Sequence, residues 1–146
     1  MTDKRIIDSF IDKYHLGGNI ERIKWVSDNE SLSAKFINDS QNLVGEIKSK
    51  NFQFPVGEFG IYSTSTLSKL LGILENEVMF DVNKEGGTPS KFIIADTSMD
   101  ISFNLADPQV IPNVPAINKM EGNVVIELNE EFTTKFIKAK DAVGEE

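Results

Sequence analysis

Three carboxylates, Asp81, Asp96 and Asp100, fall on predicted strands in the second half of the chain, where antiparallel pairing could gather them around a hard cation. That would make a carboxylate-metal hydrolase, the strongest enzymatic arrangement the sequence offers. Their spacing is not that of a ligand loop, and acidic side chains are common on the wet face of a strand. His15, the only histidine, stands at a helix end beside Gly17, where dipole and cap account for it. No Ser-His-Asp set has independent support. Gly86-Gly87 leads into a strand rather than a helix N-terminus, so it is not a phosphate-binding fingerprint. Trp25 alternates with Lys24 and lacks the second aromatic of a base-stacking motif, which makes it a sheet-packing residue. The absence of cysteine removes a thiol nucleophile, disulfides and Cys-based zinc sites. The sequence therefore yields no catalytic residue, no metal ligand and no cofactor.

The elements that would position any site follow from periodicity. Ile6, Ile7, Phe10, Ile11 and Tyr14 recur at three- and four-residue spacing until Gly17-Gly18, which predicts a helix from Asp3 to His15. The period then changes to two: Ile23 and Trp25, Leu32 to Phe36, and Leu43 to Ile47 read as an antiparallel meander with one wet face. A short strand over Glu58–Tyr62 leads to the hydroxyl run Ser63-Thr64-Ser65-Thr66, suited to cap a helix bearing Leu67, Leu70, Leu71 and Leu74. Three strands follow, over Val78–Val82, Lys91–Asp96 and Met99–Leu105, the first two joined by a turn within Asn83–Pro89.

From Asp107 to Pro115 three prolines rule out helix and central strand, leaving an extended connector. Beyond it, Val124, Ile126 and Leu128 alternate as a strand feeding Asn129, an N-cap, and a third helix with Phe132, Phe136, Ile137 and Val143, stopped by Gly144. That helix aligns weakly with the first, Ile6 with Phe132 and Phe10 with Phe136, a faint internal repeat.

The 146 residues suffice for one core but not two complete ones, and the chain reads as one domain plus the start of another. Fifteen basic against 23 acidic residues give a net charge of -8, so any nucleic-acid contact must be local rather than a bulk attraction. Helical projection sets Arg5, Lys69 and Lys138 opposite the apolar stripes of the three helices, flanked by Lys4, Lys13 and Lys135. On pattern alone this is a solvated face. No apolar run is long enough to cross a bilayer, and the expectation is a soluble, cytoplasmic protein.

The order helix, meander, helix, three strands, connector, strand, helix resembles the T4-type bacteriophage DNA polymerase sliding clamp, a processivity factor. The resemblance is carried by Leu70-Leu71-Gly72-Ile73-Leu74, Phe92-Ile93-Ile94-Ala95-Asp96, and Ala106-Asp107-Pro108 with the Pro- and Val-rich stretch after it. It runs from Leu43 to Val143. It implies an α+β DNA-clamp domain over residues 1–106, with two helices packed on antiparallel sheets. A connector over 107–121 and the first strand and helix of a second, truncated domain over 122–146 would follow. It further implies a non-enzymatic subunit, host-cytoplasmic if of phage origin, that self-associates into a ring around duplex DNA and binds polymerase and clamp-loader peptides. Lys4, Arg5, Lys13, Lys69, Lys135 and Lys138 would then face DNA, and Val110, Ile111 and Val114 would receive partner peptides. One departure is that only Met1 and Thr2 precede the first helix, where the family has a strand. The alternative reading is a soluble α+β adaptor that binds proteins and never encircles DNA.

Overall fold

The computed structural model describes residues 1–118 and 121–144. Residues 119 and 120, in the expected connector, and 145 and 146, at the end of the expected partial second domain, lie outside the described residues. Helix α1 (Lys4–His15) forms where the apolar spacing placed it. Its N-cap is Asp3, whose carboxylate accepts from the Arg5 amide, and Leu16 ends it in the left-handed conformation. Ahead of it lies strand β1 (Thr2–Asp3), paired antiparallel with Glu77 and Val78 of a later strand. The expected lack of a lead strand is thus corrected: two residues are too few to show a period of two, yet enough to pair.

The meander is β2 (Ile23–Ser27), β3 (Ser31–Ile37) and β4 (Val44–Lys50), followed by β5 (Gly57–Ile61). Helix α2 (Thr64–Leu71) is capped by the Ser63 hydroxyl, which accepts from the Thr66 amide. Then come β6 (Glu77–Glu85), β7 (Thr88–Ala95) and β8 (Asp100–Asn104). The β6–β7 turn is tighter than the sequence indicated. Gly86 and Gly87 both have positive φ, the geometry of a two-residue hairpin turn, so the strands absorb most of Asn83–Pro89.

The elements fall into two units of identical order, strand–helix–three strands: β1-α1-β2-β3-β4 and β5-α2-β6-β7-β8. The units exchange their lead strands. One sheet runs β1-β6-β7-β8 and the other β5-β2-β3-β4, so β1 completes the second unit's sheet and β5 the first's. Ile7, Phe10, Ile11 and Tyr14 of α1 and Leu67 and Leu71 of α2 join the inner faces of both sheets in one core centred on Trp25, Phe59 and Phe92.

One expected element does not form. Residues 124–128 make no strand, and the side chains of Val124, Ile126 and Leu128 are exposed. Their alternation describes one face of a strand, but a strand also needs a neighbouring backbone, and none pairs with this segment among the described residues. Helix α3 (Glu130–Val143) does form, with Asn129 as N-cap, Glu130 and Glu131 in its first turn and Gly144 as C-cap. Every residue of α3 is exposed, including Phe136 at 62% and Val143 at 68%.

Candidate nucleic-acid and partner surfaces

Helices α1 and α2 lie side by side, joined through a buried relay that begins in the core. The Trp25 indole donates to the Tyr14 hydroxyl (3.3 Å), which meets the Thr64 hydroxyl (3.0 Å), which donates to the Glu21 carbonyl (3.0 Å). Burial raises the Tyr14 pKa well above the phenolic range, so the hydroxyl keeps its proton as the relay requires. Arg5 and Lys69 are both exposed on this helix pair.

The six expected DNA-facing cations are not equivalent. The Lys4 ammonium donates to the carbonyls of Leu71 (3.1 Å) and Leu74 (2.8 Å), so it satisfies the C-terminal end of α2. Arg5 forms a two-pronged pair with Asp3, closest at 2.7 Å, and Lys135 pairs with Glu131 at 2.9 Å one turn earlier. Lys13, Lys69 and Lys138 make no ion pair among the described residues, which leaves at least one uncommitted lysine on each helix.

A cluster that sequence reasoning missed lies at the α1–α2 junction. The Glu21 carboxylate accepts from His15 Nε2 (2.8 Å), from the Ser65 amide (3.0 Å) and from the Ser65 hydroxyl. Ser65, His15 and an acid together invite a hydrolytic reading, but the geometry is wrong for one. A triad uses the two imidazole nitrogens for different partners, whereas here Nε2 alone faces both Glu21 and the Ser65 hydroxyl (3.2 Å). The cluster is instead a cap on α2. Partial burial opposes the charged carboxylate, but the Ser65 and His15 hydrogen bonds outweigh it and lower the Glu21 pKa from 4.5 to about 2. A depressed carboxylate pKa stabilises the fold above pH 4.5, and that contribution is lost as pH falls through about 2. Glu21→Gln is therefore expected to lower stability at pH 7 by about 1–2 kcal/mol. In thermal melts the variant should also lose less than the parent between pH 4.5 and 2.

The aspartates do not form a cation site. Asp96 spends its carboxylate on the amides of Glu75 (2.8 Å), Ser98 (2.7 Å) and Met99 (2.8 Å), which hold its pKa far below the usual range, and Asp81 accepts from the Val82 amide (2.8 Å). Among the described residues no group of three His, Cys, Asp or Glu is placed to hold a metal ion, and no helix is long and apolar enough to cross a membrane.

The connector crosses the outer face of the β5-β2-β3-β4 sheet. The Ala106 amide donates to the Gly60 carbonyl (2.9 Å) in an antiparallel bridge, and Asp107 caps a short turn over Pro108–Val110. Ile111 is then buried. Between connector and sheet lies a cleft of about 360 Å³, walled on one side by Pro108, Ile111, Pro112 and Val114 and on the other by Lys24, Val26, Ser33, Lys35 and Glu46. Of the three expected partner residues, Ile111 and Val114 line it, while Val110 is 57% exposed and turned to solvent. Gly60, Lys24 and Lys35 went unnoticed. The alternation in β2 and β3 assigned both lysines to the outer face, but nothing in the sequence said that the connector would lie over it.

The fold, two antiparallel four-stranded sheets with helices, is similar to one seen in a solved structure. The crystal structure of the beta subunit of DNA polymerase III from Pseudomonas aeruginosa matches with a TM-score of 0.54 and 15% identity over 79% of this chain and 32% of that one. In sequence, the chain is 28% identical over 132 residues to an aspartyl/glutamyl-tRNA(Asn/Gln) amidotransferase subunit of Mesoplasma florum, a match spanning 86% of this chain and 26% of that protein. No family model matches the chain. The chain thus spans about a quarter and about a third of the lengths of these two proteins.

Proposed function

We propose that this chain is part of a sliding-clamp subunit of the phage type, which encircles duplex DNA and tethers the replicative polymerase without catalysing a reaction. One observation carries the reading: the doubled strand–helix–three-strand unit sets α1 and α2 side by side, with Lys13 and Lys69 exposed and uncommitted. A closed ring needs few such cations, because leaving DNA requires opening the ring rather than breaking every phosphate contact at once. The DNA-facing set is then Lys13, Lys69 and Lys138, with Arg5 and Lys135 alongside in their local pairs. Lys4 belongs to the expected set but also braces α2. In this reading residues 1–106 form the first clamp domain and 107–121 the connector. Residues 122–146 open a second domain, and ring assembly covers the exposed face of α3. The connector cleft, with Val110 at its rim, receives polymerase and loader peptides.

The test is charge reversal of Lys13, Lys69 and Lys138 to glutamate in a chain long enough to close, loaded on circular DNA. Retention should fall, and the salt slope of binding should drop by about three units, roughly one for each lost phosphate contact. Unchanged retention and slope would return these lysines to the role of a solvated face. The net charge of -8 favours the second reading, a protein-binding adaptor that never encircles DNA, and the same experiment separates the two.

A further inference from the structure

Lys24 and Lys35 are directly opposite each other in the β2–β3 register, and Glu46 stands beyond Lys35 on β4. Like charges in facing positions repel, and one neighbouring acid for each lysine, Glu46 opposite Lys35 and Glu58 near Lys24, offsets this only in part. The Lys24 ammonium lies 3.7 Å from the exposed Glu58 carboxylate, and among the described residues Lys35 makes no ion pair. Both lysines line the connector cleft and Glu46 is the one acid in that lining, so a chain of net charge -8 sets two cations against one carboxylate there. The facing wall, Pro108, Ile111, Pro112 and Val114, is apolar apart from Asn113.

We propose that the cleft is selective for an extended peptide in which an aliphatic residue is followed by an acidic one. The inference rests on the cleft being the partner site proposed above. Successive side chains of an extended peptide point to opposite sides. An aliphatic residue turned toward Ile111 and Val114 therefore directs its successor toward Lys24 and Lys35, where a carboxylate relieves the repulsion. The acidic surface elsewhere disfavours such a peptide, so the charge pattern steers it here. The carboxylate is that of a side chain rather than of a chain terminus.

Three fluorescein-labelled, C-terminally amidated peptides test this, each carrying repeated Leu-Asp, Leu-Asn or Leu-Lys dipeptides between Gly-Ser ends. Fluorescence anisotropy with the whole chain should show the Leu-Asp peptide binding about threefold to tenfold more tightly than Leu-Asn, with Leu-Lys weakest. The double substitution Lys24→Gln, Lys35→Gln should erase that preference, as should high salt, while Val114→Asn should weaken all three peptides. Equal binding of Leu-Asp and Leu-Asn, still weakened by Val114→Asn, overturns the acidic selectivity and leaves the cleft as a partner site. Binding of an unamidated Leu-Asn peptide as tight as that of amidated Leu-Asp overturns it in favour of a chain terminus. No binding by any peptide, or binding indifferent to Val114→Asn, overturns the partner site and the selectivity together.

Discussion

Trp25→Ala is expected to remove a large share of the protein's stability, about 3–5 kcal/mol from a total that in single domains is about 5–15. The ring is fully buried, and its centroid lies 5.4 Å from that of Phe10, 6.5 Å from Tyr14, 6.0 Å from Phe54 and 6.1 Å from Phe92. It thereby joins α1, the segment after β4 and the second sheet at one point. Its loss leaves a cavity that neighbours from three elements cannot close together, and it strips the Tyr14 hydroxyl of its donor. Urea unfolding followed by circular dichroism measures this, since the variant has no tryptophan to report by fluorescence. A shift equivalent to less than about 1 kcal/mol would mean that the two sheets are held together elsewhere.

Gly60→Ala should release the connector from the sheet while the core stays folded. A Cβ at this position would collide with the Ala106 carbonyl, and backbone cannot move aside as a flexible side chain can. The 2.9 Å hydrogen bond from Ala106 to Gly60 would break, and with it the seating of Ile111. The expected loss is about 1–3 kcal/mol. Its signature is local: faster hydrogen exchange at the Ala106 amide, faster proteolysis over residues 106–118, and a cleft that no longer holds peptide. Protection at Ala106 equal to that of the parent would show that the bridge is not what anchors the connector.

The elements that were legible in the sequence are those whose evidence is local. The Ile7-Phe10-Ile11-Tyr14 stripe, the Ser63 and Asn129 caps and the alternation around Trp25 and Ala34 each lie within one element, and all three helices formed where expected, although α2 stops at Leu71 and leaves the expected Leu74 outside it. Features that depend on a distant partner were hidden. Strand β1 exists because Val78 lies opposite Thr2, and Val124–Leu128 fails as a strand because nothing lies opposite it among the described residues. The same division runs through the candidate sites. Exposure of Arg5 and Lys69 followed from helical projection, whereas the commitment of Lys4 to the end of α2 joins residues 67 and 70 positions apart. Glu21 carries no signal at all until the fold brings it to Ser65.

The exchange of lead strands between the two units has a bearing on how the chain comes into being. Thr2 and Asp3 are made before their partners Val78 and Glu77 by some seventy residues, and the carbonyls that hold Lys4 arrive only shortly before those partners. The first unit can fold its own hairpins early but must wait for β5 to close its sheet, and the second unit must find the strand β1 already made. Neither half has a finished state of its own, so the nascent protein carries an open sheet edge and an α1 without its neighbour α2 until synthesis has passed α2 and entered β6. Long-range closure of this kind is slow and is the stage most exposed to aggregation. Its hazard thus falls in a narrow interval of translation rather than in the finished molecule.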